Sequence, residues 1–466
     1  MSSSLPAPAE TSLTELDAPR SSAAPRSAFA GSIVWLTLEK ILRAFGSITV
    51  GLLVARFLGP EDYGRLGVAL GLAGVGRELV TLALERIIRR DLAARAHPAG
   101  DIFGTYLLAA LVVGLGAIGV LSVFAVTSIG DAPTRTIVLL LVWMTLPQIL
   151  VSADWWFESQ CRARPMVIAR NTVWLLGMAL KVLFVVAHFG LLAFAILALL
   201  ELVLSASIVW RAFRIRQDRD FRLAWNGRLF AGWMRENWSV LVVVLLSALS
   251  DRLLAYITQH AAGNVNAGFF GAAQRLIEAW WALFIMASGV LLPRMTQLRT
   301  SEDDRFERFT QSYFDLSFGL AFAVAVAGTF GAHLIVPLLL GAEYAGAAPV
   351  IVAMLWATPA GFVFLARVQY STAVHRIALD FPSSIATAIF TLLLSVLWAP
   401  VHGAAGVAWA GTVSLWLGVY AVPLLWPKLR RAHPHQWHAL LFFVRARRLA
   451  LLVAELASRG RREFWH

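Results

Sequence analysis

Lysine appears only at positions 40, 181 and 428 of the 466 residues, and cysteine only at 161. One cysteine excludes an internal disulfide and a CxxC metal site. Charged residues make up 15% of the chain, where a soluble domain carries about 25%. The period-two alternation of an outer-membrane barrel is missing. So are a sizeable outer loop, a paired-carboxylate site and a metal-ligand cluster, which a membrane glycosyltransferase, ligase or polymerase needs to bring donor and acceptor together. Their absence argues against an enzyme, and the sequence calls for no cofactor and no metal. What is present is apolar: 59% of residues, with mean hydropathy +0.70. The reading is an all-α polytopic membrane protein, and 34 glycines and 18 tryptophans suit such a bundle.

Apolar runs of about twenty residues span roughly 30 Å of hydrocarbon. They fall near 33–57, 64–84, 103–128, 135–156, 166–187, 191–210, 237–258, 270–292, 314–340, 346–366, 379–399 and 404–426, which predicts twelve helices. The net charge of +12 is mostly arginine, and it lies in the loops after even-numbered runs: Arg86, Arg89, Arg90 and Arg95, then Arg211, Arg214 and Arg216. Connections after odd-numbered runs, such as "LGPEDYG" and "HFG", are short and nearly bare. This asymmetry places both termini in the cytoplasm and makes nucleic acid a poor partner. The expected organisation is a disordered tail over 1–30, six-helix lobes over 31–229 and 230–427, and a basic amphipathic tail over 428–466 lying on the inner leaflet. "GRLGVA" from Gly64 and "GFFGAA" from Gly268 align at an offset of 204 residues, as duplicated halves would; small-residue packing motifs give the same pattern.

Charges enter these runs. A charged side chain at mid-bilayer costs on the order of 3 kcal/mol and usually faces a bundle interior or a watery cavity. Counted from "LGPEDYG" at 1.5 Å per residue, Arg43 and Arg77 both lie roughly 21 Å in from the outer face. With Lys40 they oppose Glu39 and Glu78. One reading is a self-neutralising network; the other is a surplus cation facing a cavity, able to take phosphate oxygens by charge-assisted hydrogen bonds. A second set comprises Lys181, Asp251, Arg252, Arg275 and Glu278. Asp251 and Arg252 could line that cavity or simply hold the lobes together. Trp280 and Trp281 fall mid-helix, where one ring could stack on a sugar. Arg170 and Arg367 read as snorkelling side chains, and Trp155 and Trp156 as interfacial anchors.

The stretches "WLTLEKILRAF", "VARFLGPEDYGRLGVAL", "WFESQCRARPMVIAR", "SDRLLAYITQHAAGNVNAGFFGAAQRL", "LLLGAEYAGAAPVIVAMLWATP" and "GAAGVAWAGTVS" occur in order between about residues 32 and 425. Together they resemble the polysaccharide-exporter branch, the Wzx-type flippases, of the multidrug/oligosaccharidyl-lipid/polysaccharide exporter superfamily. The resemblance implies two six-helix lobes around a central cationic cavity. It implies that undecaprenyl pyrophosphate carrying an oligosaccharide repeat unit is turned from the inner to the outer leaflet by alternating access, beside membrane lipids and the polysaccharide polymerase and chain-length machinery. A multidrug or cation antiporter of the same superfamily is the rival. It needs an acidic residue free to bind H⁺ or Na⁺, whereas Glu39 and Glu78 each adjoin a cation.

Overall fold

The computed structural model describes residues 26–160, 164–217, 221–301, 303–374, 376–426, 429–430 and 434–441, with side chains described at most of these positions from Gly46 onward. The terminal tail over 1–25 and most of the basic tail over 428–466 lie outside the described residues. So do the side chains of Glu39, Lys40 and Arg43, whose backbone is helical. The chain forms two units, 1–44 and 45–466.

Among the described residues the regular elements are all helical: α1 (Arg26–Thr81), α2 (Glu85–Ala94), α3 (Ala99–Ser128), α4 (Ala132–Leu141), α5 (Thr145–Val151), α6 (Asp154–Ser159), α7 (Arg164–Val186), α8 (Leu191–Ile215), α9 (Gly227–Ser301), α10 (Asp303–Leu340), α11 (Ala348–Ala373), α12 (Phe381–Trp416), α13 (Val422–Leu425) and α14 (Pro434–Ala439). Eight continuous stretches of the described residues are long and apolar enough to cross a membrane. One of them, Gly46–Ala94, has 49 residues. Straight, it would be about 74 Å long, more than twice the hydrocarbon thickness, so it has to fold back.

It breaks at Gly59, with φ 72° and ψ 169°; α9 breaks at Gly263, with φ 86° and ψ 173°, and α12 at Gly403, with φ 57° and ψ −140°. A side chain would strain such backbone, and glycine adopts it freely. Divided at these three glycines, and with α7 added, the helical stretches of the described residues are consistent with the twelve apolar runs. Gly59 and Gly263 are 204 residues apart and share one conformation, so the offset seen in the hexamers recurs in the backbone.

The two related hairpins also meet. A Cβ built on Gly64 would collide with the carbonyl oxygen of Asn264, and one on Gly268 with that of Pro60. Pro60 and Asn264 are themselves separated by 204 residues, so each hairpin presents to the other the same glycine against the same carbonyl. This is a self-complementary contact about a pseudo-two-fold axis. Small residues continue inward: Ala55, Ala272, Ala273, Ala347, Ala348 and Ala404 are buried in the cluster that joins the halves here. Tyr344 Oη donates to the Ala55 carbonyl at 2.8 Å, and Gln259 Nε2 donates to Thr134 Oγ1 at 3.0 Å. Facing outward, Val112, Val120, Leu183, Phe330 and Leu334 are exposed, the apolar belt that lipid would cover.

Candidate functional site

Followed from Gly64, the second arm of α1 and the first arm of α9 move apart. At Gly71 a Cβ would lie 2.9 Å from the carbonyl oxygen of Arg252, and at Gly74 it would lie 2.9 Å from the Arg252 side chain. One turn further, the contact is between long side chains, with Arg252 Nη2 3.6 Å from Glu78 Oε1. Along these two arms the seam is thus a wedge, sealed by backbone at the end bearing Gly59 and Gly263 and widening toward Glu78 and Arg252.

The wedge gathers charge from both halves. Arg252 and Glu78 are 44% and 36% exposed, so they line open space rather than packed interior. Arg77 stands within electrostatic reach of Arg252 and Glu78, and its Nε donates to Gln148 Oε1 at 3.0 Å. Asp251 feels Arg252, Glu278 and Glu78. Arg275 lies 3.9 Å from Glu278 Oε2 and along the face left bare by Gly51, while Gln274 donates to Glu278 at 3.1 Å. Six residues predicted separately along the chain, Arg77, Glu78, Asp251, Arg252, Arg275 and Glu278, therefore share one neighbourhood. Three are cations and three are anions. The layer of which a surplus cation is expected also includes Glu39, Lys40 and Arg43, whose side chains lie outside the described residues.

Lys181 is held elsewhere, on α7, with Nζ 2.7 Å from Glu201 Oε1 of α8. Glu201 escapes a reading of single runs because its partner belongs to the neighbouring span; Gly177, where a side chain would strike the carboxylate, is the sequence trace of that crossing. Trp280 and Trp281 both pack on Phe362, with ring centroids at 5.5 and 5.2 Å, and Trp281 fills the space over Gly361. Both residues are half-buried.

Three expectations are corrected. Arg367 does not snorkel: it is completely buried, and its Nε lies 2.7 Å from Asp380 Oδ1. Arg170 is tied to Asp154 at 2.7 Å. Trp155 is buried edge-on against Tyr106 at 5.0 Å rather than anchored at an interface. In each case the depth of the residue along its helix is visible in the sequence, but the neighbour that neutralises or covers it arrives from another helix.

A model of the family described as "Polysaccharide biosynthesis protein" matches residues 29–299, more than half of the chain. The chain belongs to the polysaccharide biosynthesis protein family. This family member resembles the solved structure titled "Lipid II flippase MurJ, inward closed conformation" with a TM-score of 0.70 at 11% identity, over 93% of this chain and 100% of that one. It also resembles an inward-facing multidrug resistance MATE family transporter of the MOP superfamily, with a TM-score of 0.60 at 13% identity, over 83% of this chain and 96% of that one. At such identities the likeness is one of fold. No curated protein sequence matches this polysaccharide biosynthesis protein.

Proposed function

We propose that this protein is a flippase that carries undecaprenyl-pyrophosphate-linked oligosaccharide repeat units across the bacterial inner membrane by alternating access, for lipopolysaccharide or exopolysaccharide assembly. The observation that carries the reading is the wedge, which opens on arginines contributed by both halves. At 3.6 and 3.9 Å, Glu78 and Glu278 sit beyond hydrogen-bond distance of Arg252 and Arg275. Such loose pairs can exchange a carboxylate for a phosphate oxygen, and a guanidinium fork gains two parallel hydrogen bonds on a diphosphate. Lys40 and Arg43 against Glu39 carry one net positive charge on the first run. The transporter is a carrier rather than an enzyme: it lowers no chemical barrier and forms no bond.

A cation antiporter would need a carboxylate without a cation nearby. Glu78, Asp251 and Glu278 each have an arginine within reach, which favours the anionic substrate. In cells lacking the protein, lipid-linked repeat units should collect on the inner leaflet; drug sensitivity with normal polymer would point to the antiporter. Arg252→Ala or Arg43→Ala should each stop export while the protein still inserts. Wild-type polymer yield from such inserted variants would remove the cationic-site assignment. Between these extremes, Arg252→Lys should recover only part of the flux, since it keeps the charge and loses the fork.

A further inference from the structure

The halves meet a second time at the arginine-rich end, and there the contacts are of another kind. Leu82 and Ala83, between α1 and α2, have φ of 50° and 51°, left-handed backbone that neither residue favours. Asn237 Nδ2 of α9 donates to the Ala83 carbonyl at 2.9 Å. Asp91, buried on α2, accepts from Trp233 Nε1 at 2.9 Å, and Arg90 forks onto Glu236, its Nη2 lying 3.0 Å from Oε2. Leu229 and Trp233 are buried with Ile87, Ile88, Leu92 and Phe213. The first turns of α9 therefore pack as part of the first half, past the boundary expected at 229–230.

We propose that α2 and residues 229–237 form a joint that stays closed throughout the transport cycle, so that the moving boundary between the halves lies beyond Asn237. The proposal rests on the alternating-access reading above. Its basis is the contrast between the two meeting points. The outer seal is made of backbone contacts at glycine and neutral hydrogen bonds, which separate and re-form at small cost. Parting the joint would break the Trp233–Asp91 and Asn237–Ala83 hydrogen bonds, pull Arg90 from Glu236 and expose the apolar cluster of Leu229, Trp233, Ile87, Ile88 and Leu92, a cost that grows with the apolar area exposed. It would also release Leu82 and Ala83 from the partner that holds their strained backbone, and strain of this kind persists only where the surroundings impose it.

Two locks test this in the full chain with Cys161 replaced by serine. Cysteines at Arg90 and Glu236 lock the joint, and cysteines at Thr134 and Gln259 lock the outer seal. Each pair is bridged by a reducible bis-methanethiosulfonate, and transport of an undecaprenyl-diphosphate-linked oligosaccharide is followed in proteoliposomes. Transport should persist with the joint locked and be lost with the seal locked, returning on reduction. Loss with the joint locked, reversed by reduction, overturns the joint. Persistence under both locks leaves the joint standing and overturns alternating access of the halves. As a check that needs no cross-link, Ala83→Gly relieves the left-handed residue, so it should raise the thermal midpoint and leave transport unchanged. A lowered midpoint counts against the strained, held backbone on which the proposal stands.

Discussion

Arg367 and Asp380 form a buried ion pair, and such a pair is costly to break from one side. Removing Asp380 leaves a completely buried guanidinium without its counter-charge, although Gln436 and the Val419 carbonyl lie 3.3 and 3.5 Å from its Nη1. Asp380→Ala should therefore destabilise the protein by about 3–5 kcal/mol, read as a fall in folded yield and thermal midpoint in detergent. The double variant Arg367→Met with Asp380→Leu should recover much of the loss, because apolar residues of similar volume carry no desolvation penalty. Recovery no better than the single variant would show that the pair does more than neutralise itself. The same reasoning separates Arg367 from Arg252. The first is sealed against its partner; the second is half-open and loosely paired, the condition under which a ligand can displace a side chain.

At the scale of elements, the glycines divide into those that yield and those that cannot. At Gly74 the obstructing atoms belong to the flexible end of Arg252, whereas at Gly64 and Gly268 they are backbone carbonyls. Gly64→Ala should accordingly pry open the outer seal. Thiol labelling of a cysteine placed at Ala55, which is buried beneath this contact, should rise sharply in the variant, and unchanged labelling would mean that the contact is not the seal. The turn before α4 makes a pH-dependent contribution. Asp131 accepts from the Thr134 amide at 3.1 Å and from Arg65 Nε at 3.0 Å. Burial alone would push its carboxyl up, but the hydrogen bonds from Thr134 and Arg65 and the charge of Arg65 outweigh that and hold it below the usual carboxylate range. A group so lowered stabilises the fold above its ordinary pKa and loses that contribution as the pH falls through the lowered value. The thermal midpoints of wild type and Asp131→Asn should therefore differ at neutral pH and converge as the pH falls below the ordinary carboxylate range.

At the scale of the whole molecule, the twelve crossings expected from the apolar runs would put the two termini on one side of the membrane. Reporter fusions at residues 1 and 466 should both report the cytoplasm, and a fusion in the turn after Gly59 the opposite side. A terminus reported outside would remove a crossing from the scheme. The two meeting points differ in kind: one is neutral and glycine-lined, and the other joins a buried Trp233–Asp91 hydrogen bond to an exposed Arg90–Glu236 pair. Alternating access needs the seam to open in turn at each end, and on the proposal above the inner opening lies beyond Asn237 while residues 229–237 move with the first half.

Hydropathy, loop charge and glycine placement were enough to reveal the helical membrane class, the twelve runs, the 204-residue repeat and the level of each charge along its helix. These are local properties: a span must be long and apolar wherever its neighbours lie, and a turn with a left-handed residue wants glycine in any fold. Partnership was not legible. That Lys181 is cancelled by Glu201, that Arg367 is buried on Asp380, that Trp280 and Trp281 rest on Phe362, and that the first turns of α9 side with the first half are facts of which helix faces which. No periodicity encodes them, because the lipid-facing and protein-facing sides of a membrane helix are almost equally apolar. Packing alone decided which charges meet, and with them the balance of three arginines and three carboxylates in the wedge.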